Sequence, residues 1–303
     1  MLRNKKLVSI LLVMLLLVTV LTACQPEEAT PDPDEGQEVD QGEAIVPEEV
    51  LLDASIEFMN SVSSTSYIVG GSDVMDLIGI NPDALFIVDM RAPADYAEGH
   101  IEGAVNIPFA EIGNHLNVIP MDKQVYFVCY SGQSSAQATA VANLVGFEAY
   151  SFKSGMNFGW SDDFTKETTE NALPEAMEPE LSEEEQVVWD AASTYFDDGV
   201  KITSPEDLLA LVEDNPDMIT ILDIRAEEDF AEGHVESAMN IPFAQVGDNF
   251  ENIPTNRPVY VICYSGQTAG ITAGSLRMAG YNAFSLNRGM IGWNAAELPT
   301  VTE

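Results

Sequence analysis

The sequence predicts an α/β protein made of two tandem domains, each a small parallel sheet flanked by helices. Three observations predict it. The chain has 303 residues, enough for two ordinary globular domains. A block of motifs recurs along it at a constant offset of 134 positions. Within each copy, short apolar runs alternate with stretches of helical periodicity, the pattern of strand–helix–strand crossovers.

The repeat is legible motif by motif. Val88-Asp89-Met90-Arg91 is answered by Leu222-Asp223-Ile224-Arg225, and Ala97-Glu98-Gly99-His100-Ile101-Glu102 by Ala231-Glu232-Gly233-His234-Val235-Glu236. Asn106-Ile107-Pro108-Phe109 matches Asn240-Ile241-Pro242-Phe243, and Cys129-Tyr130-Ser131-Gly132-Gln133 matches Cys263-Tyr264-Ser265-Gly266-Gln267. A period this long exceeds that of solenoid repeats and marks duplication of a whole domain. The apolar runs 85–88, 125–128 and 149–152 read as buried strands, with counterparts at 219–222, 259–262 and 283–286. Residues 134–145 and 268–279 read as helices closed by Gly146 and Gly280.

A further helical segment precedes each block, around 50–59 and 187–196, so each domain is expected to include its own leading helix. The expected boundaries are 47–162 for the first domain and 181–298 for the second. Between them an acid-rich linker is expected over 163–180, within a stretch that carries ten acids and two prolines over 161–185.

The N-terminus reads as an export signal. Arg3, Lys5 and Lys6 are followed by 14 almost uninterrupted apolar residues from Leu7 to Val20, too few for a comfortable membrane span. Leu21-Thr22-Ala23-Cys24 resembles a bacterial lipobox, which implies cleavage after residue 23, diacylation of Cys24 with palmitate-type chains, and a protein held on the extracytoplasmic side of the cell membrane by that lipid anchor. Residues 25–43 hold eight acids and three prolines with no basic or aromatic residue, so 24–46 is expected to be an extended, solvated tether.

Charge excludes one class of partner. Twelve basic residues stand against 50 acidic ones, a net charge of −38, and such a surface repels phosphate backbones. No nucleic-acid partner is expected. Three cysteines are too few for a disulfide scaffold. The histidines and cysteines show no metal-ligand spacing, so neither metal nor cofactor is expected.

Chemistry is expected where Cys129 and Cys263 each end a strand and precede a Gly-containing turn into a helix. Unpaired N–H groups at such a helix start point at the sulfur, and the positive end of the helix dipole favours thiolate over thiol. Gly132 and Gly266 let the backbone curl around the sulfur, and the hydroxyls of Ser131, Ser134, Ser135, Ser265 and Thr268 can add donors. The loop is a cradle for an anion on sulfur.

These loops, Cys129-Tyr130-Ser131-Gly132-Gln133-Ser134-Ser135 and Cys263-Tyr264-Ser265-Gly266-Gln267-Thr268-Ala269, resemble the active-site loop of rhodaneses. Gly99-His100-Ile101-Glu102-Gly103-Ala104, the Asp-x-Arg pairs, and the closing Gly155-x4-Trp160 and Gly289-x3-Trp293 resemble that family's other signatures. The resemblance implies a thiosulfate-type sulfurtransferase. Cys129 and Cys263 would be its catalytic residues, and the remaining loop residues, 130–135 and 264–269, would bind substrate. Sulfane sulfur from a small anionic donor would pass through a cysteine persulfide to a cyanide-type or thiol acceptor. Many rhodaneses carry Arg where Ser134 and Thr268 stand, although some single-domain thiosulfate enzymes use Ser or Thr there. Cysteine phosphatases need Arg six positions after the nucleophile, where this chain has Ser135 and Ala269, which argues against a phosphatase. The competing reading is a rhodanese-fold module that captures sulfane sulfur or a protein without turnover. A Cys129–Cys263 disulfide is a third possibility that sequence leaves open, as it does the oligomeric state. His100 and His234, with Arg91 and Arg225, are expected to hold the scaffold.

Overall fold

A computed structural model describes residues 45–63, 67–161 and 164–302. The expected signal segment, Cys24 and nearly all of the tether lie outside the described residues. From Ile45 onward the chain forms one compact unit.

In chain order the strands of the first repeat are β1 (Ile68–Val69), β2 (Leu85–Asp89), β3 (His100–Ile101), β4 (Val105–Asn106), β5 (Gln124–Val128), β6 (Glu148–Phe152) and β7 (Lys166–Glu167). Those of the second are β8 (Ile202–Thr203), β9 (Thr220–Asp223), β10 (Met239–Asn240), β11 (Val259–Ile262) and β12 (Ala283–Leu286). The helices are α1 (Pro47–Ser61), α2 (Gly71–Ile80), α3 (Pro93–Glu98), α4 (Gln133–Val145), α5 (Glu183–Tyr195), α6 (Pro205–Asp214), α7 (Glu227–Glu232), α8 (Gln267–Met278) and α9 (Gly289–Ala295). Each repeat builds one five-stranded parallel sheet, ordered β1-β6-β5-β2-β4 in the first and β8-β12-β11-β9-β10 in the second. This is the α/β tandem that the alternation of apolar runs and helical stretches predicts.

Both faces of each sheet are covered, so the central strands are apolar throughout. Side-chain alternation sorts them. On β5, Val125 and Phe127 face the same core as Cys129, while Tyr126 and Val128 face the opposite one. On β11, Val259 and Val261 share a core with Cys263, while Tyr260 and Ile262 turn to the other side. Both cysteines therefore lie on the inner face of their sheet, toward the layer of helices that the two repeats share.

The leading helices depart from expectation. Phe58 and Met59 of α1, which precedes the first repeat, are buried in the core of the second, beside Phe250, Val261 and Tyr281. Reciprocally, Val188 and Ala192 of α5, which precedes the second repeat, are buried in the core of the first, beside Val88, Ile112 and Phe127. α5 thus helps close the inner face of the first sheet and α1 that of the second, with Val50, Leu51 and Ala54 of α1 also packed against the first core. Hydrophobic periodicity shows that such a helix must bury a face and cannot say against which sheet.

The acidic stretch between repeats is docked on the first of them. Its strand β7 pairs antiparallel with β3, His100 opposite Glu167. Asn171 Nδ2 donates to Ala104 O at 3.0 Å, and Met177 N donates to Asn117 O at 2.7 Å. At the C-terminus His234 bridges Val301 in the same antiparallel sense. Glu167 and Val301 are again 134 positions apart, so the structural repeat runs beyond 162 and beyond 298. The 163–180 stretch opens with a strand of the first repeat.

Candidate active site

Each cysteine follows the last residue of a central strand, and the following helix, α4 or α8, starts within four residues. The two helices cross against each other through small residues. A Cβ on Gly270 would lie 2.7 Å from Gln133 O, an approach that only glycine permits, and one on Gly274 would lie in tight contact 3.0 Å from Ala140 Cβ. Because the contact involves the first turns of both helices, the crossing brings the two cysteine loops together. Gly132 and Gly266, both at φ +91°, place their backbones against the Gln267 and Gln133 side chains respectively. The left-handed conformation that turns the chain back over the sulfur is open to glycine at little cost.

The sulfurs sit on the floors of these turns, and both cysteines are buried. Cys129 Sγ accepts hydrogen bonds from Gly132 N at 3.1 Å and Ser135 N at 3.4 Å. Cys263 Sγ accepts them from Gly266 N at 3.0 Å and Ala269 N at 3.3 Å. Two backbone N–H donors per sulfur arise from the loop and helix start alone. Met156 N and Met290 N donate to the carbonyls of Cys129 and Cys263, both at 2.8 Å, and hold the loops from behind.

The loops differ in one contact. Ser135 Oγ lies 3.4 Å from Cys129 Sγ and also bonds Gly132 O and Ser151 Oγ, whereas Ala269 offers Cys263 no hydroxyl. Ser131, Ser265, Ser134 and Thr268 remain at least partly exposed around the two turns.

The two glutamines line the cleft between the loops and use their amides to bond across the repeats. Gln133 Nε2 donates to Ser285 Oγ at 2.8 Å and Leu286 O at 2.9 Å, and Gln133 Oε1 accepts from Arg288 N at 3.2 Å. Gln267 Nε2 donates to Ser151 Oγ at 2.8 Å and Phe152 O at 3.1 Å, and Gln267 Oε1 accepts from Ser154 N at 3.1 Å. These amides are consumed in tying each loop to the other repeat's sheet.

The tyrosines act on their own repeats. Tyr130 Oη donates to Asp95 Oδ2 and accepts from Ala92 N, and Tyr264 Oη donates to Asp229 Oδ2 and accepts from Ala226 N. Desolvation first, and the carboxylate partner second, push both phenols above their ordinary value, so they stay neutral donors. Arg91 and Arg225 are buried, each clamping a carboxylate (Asp89, Asp223) with three side-chain bonds from Nε and Nη2 and donating to Gly99 O or Gly233 O at 2.8 Å. His100 and His234 are buried, stacked on Tyr96 and Phe230 with centroids 3.6 and 3.7 Å apart, and bond the Tyr96 and Phe230 carbonyls through Nδ1. All four hold the scaffold around the loops.

Between the loops lies a cleft of about 230 Å3, lined from one side by Ser131 and Ser154 and from the other by Ser265 and Arg288. Arg288 stands outside both cysteine loops, and sequence reasoning passed over it. The available signal was its place at the 134-residue offset from Ser154, immediately before Gly289, where the closing motif comes back to the loop. Among the described residues no group of three or more His, Cys, Asp or Glu side chains is placed to hold a metal ion, and no helix is long and apolar enough to cross a membrane.

Comparison with known proteins matches a rhodanese-like domain twice, at residues 72–162 and 204–296. Thiosulfate sulfurtransferase GlpE of Pseudomonas entomophila is 30% identical over 94 residues, covering 31% of this chain and 85% of that enzyme. Thiosulfate sulfurtransferase PspE of Escherichia coli is 32% identical over 62 residues, covering 20% of this chain and 60% of its own. One Bacillus subtilis relative, 32% identical over 66 residues and 22% of this chain, is matched over only 36% of its length. Among solved structures, the 3-mercaptopyruvate sulfotransferase SseA of Escherichia coli aligns with 73% of this chain and 98% of its own, at 20% identity and a TM-score of 0.37.

Proposed function

The chain belongs to the rhodanese family, and from that premise we propose an enzyme that moves sulfane sulfur from a thiosulfate-type donor to a thiophilic acceptor through persulfides on Cys129 and Cys263. Family membership carries sulfur transfer in general. The observation that supports the specific reading is that each sulfur receives two backbone N–H donors from its own loop.

In the first step the cysteine thiolate, its proton released to solvent, attacks the outer sulfur of thiosulfate. The new S–S bond forms as the donor's S–S bond breaks, and sulfite leaves with the electron pair. The persulfide's terminal sulfur then carries the negative charge. The fixed N–H dipoles on Sγ need no reorganisation to support the cysteine thiolate, which is the nucleophile of this step and the leaving group of the next. In the second step cyanide or a thiolate attacks that terminal sulfur, giving thiocyanate or a new persulfide and returning the cysteine thiolate. Both steps conserve charge and require no external oxidant or reductant.

Lipid anchoring at Cys24 on the extracytoplasmic face belongs to the same proposal, supported by the basic start, the apolar run and Leu21-Thr22-Ala23-Cys24. The experiment is thiocyanate formation from thiosulfate and cyanide by the purified chain, with Cys129→Ser, Cys263→Ser and the double variant. Each single change is expected to remove part of the activity and the double change all of it, with mass spectrometry after thiosulfate showing up to two added sulfur atoms on the parent. Activity that survives the double change rejects the mechanism.

A further inference from the structure

Both cysteine loops border the cleft that contains Arg288, and the charges around it are very uneven. Nine basic residues follow Cys24 in the sequence, and three of them, Lys123, Lys153 and Lys166, do not line the cleft. Arg91 and Arg225 are taken by Asp89 and Asp223, Lys201 and Arg277 by Asp198, and Arg257 bonds Thr220 Oγ1 and Asp217 O. Arg288 pairs with no carboxylate among the described residues. Its guanidinium lies 6.0 Å from the ring centroid of Phe158 in the opposite repeat, a contact with the ring face that leaves its N–H donors available.

Two apolar side chains, one from each repeat, stand among the polar residues that line the cleft. Phe158 from the first repeat is 69% exposed and Ile291 from the second 51%. Covering large apolar side chains wetted at the mouth of a cleft with a ligand lowers the free energy. The position equivalent to Arg288 is Ser154, which brings no charge, so the cleft holds one guanidinium for two cysteine loops.

We infer that this cleft is a single anion-binding subsite common to both loops, that Arg288 binds the anion, and that its ligand class is a sulfur oxyanion bearing an apolar substituent, an organic thiosulfonate. The inference rests on the sulfurtransferase reading for the role of that ligand, though not for its binding. One consequence is that a donor bound for one cysteine occupies the cleft that serves the other.

The test separates binding from turnover. The full-length chain carrying both Cys129→Ser and Cys263→Ser is titrated calorimetrically with benzenesulfonate, which has the anionic head and the apolar group but no transferable sulfur. One equivalent per chain is expected to bind, with affinity falling about tenfold in an added Arg288→Ser and partly restored by Arg288→Lys. Serine is accommodated at this backbone geometry, since Ser154 adopts φ +60° where Arg288 adopts φ +57°. Methanesulfonate is expected to bind roughly tenfold more weakly than benzenesulfonate, a difference that shrinks in Phe158→Ser. Two equivalents per chain, no measurable binding, or equal affinity with and without Arg288 would each overturn the inference. Binding as expected in a chain whose parent has no transferase activity would reject the sulfurtransferase reading and leave the subsite standing.

Discussion

Gln267 donates its side-chain amide to Ser151 Oγ at 2.8 Å, reaching from the loop of the second cysteine into the sheet of the first repeat. Ser151 Oγ lies 2.8 Å from Ser135 Oγ, which in turn lies 3.4 Å from Cys129 Sγ. A path of three hydrogen bonds therefore joins the loop after Cys263 to the sulfur of Cys129. The reciprocal path from Gln133 ends at Ser285 Oγ, because Ala269 stands where Ser135 would continue it. The two sites share their backbone geometry and differ in this connection.

Ser135→Ala is expected to reduce kcat/KM at the first site by roughly three- to tenfold, since a hydroxyl able to rotate its proton toward a thiolate is lost while both N–H donors stay. Kinetics in a Cys263→Ser background isolates that site. Ala269→Ser in a Cys129→Ser background is expected to raise the second site toward the first.

Gln267→Ala removes both donors and the acceptor that tie its loop to Ser151, Phe152 and Ser154. A loss of about 1–3 kcal/mol of unfolding free energy is expected, because buried partners are left unpaired. Activity assigned to Cys129 should fall as well, although Gln267 belongs to the other loop. Denaturant titration combined with the single-cysteine kinetics checks both. Unchanged activity at Cys129 would mean that the path carries no functional coupling.

Met59 is fully buried in the core of the second repeat although it precedes the first. Met59→Ala is expected to cost about 2–5 kcal/mol. The loss should appear in both repeats as one cooperative transition, because α1 and α5 link their cores. Hydrogen exchange resolved by segment checks this. Loosening confined to residues 67–161 would contradict the exchange of helices.

Glu167 is held below its ordinary value chiefly by the Gly103 N–H at 2.9 Å, and then by Asn171 Nδ2 at 3.0 Å. A depressed carboxylate contributes stability above its unfolded value of 4.5 and loses it as pH falls through the lower folded value. Glu167→Gln is therefore expected to be less stable than the parent near neutral pH, with the gap closing in acid. Denaturant titrations from about pH 6 to about pH 3 measure the gap. A gap that does not change over that range would remove Glu167 from the pH response.

The sequence by itself determined the duplication, the six central strands, the two helices that follow the cysteines, and the loops that surround the sulfurs. These are local properties: a strand buried on both faces shows itself as an apolar run, and a turn of Cys-Tyr-Ser-Gly-Gln needs only its own backbone to aim N–H groups at Sγ. The tertiary structure alone decided which sheet each leading helix covers, which way Gln133 and Gln267 turn, and that Arg288 meets both loops. Burial is non-directional, so Phe58 and Val188 advertise an apolar face without naming its partner. A glutamine amide bonds whatever the fold brings within reach, and the Gly270 and Gly274 crossing, which sets that reach, depends on two segments 134 residues apart coming within van der Waals contact.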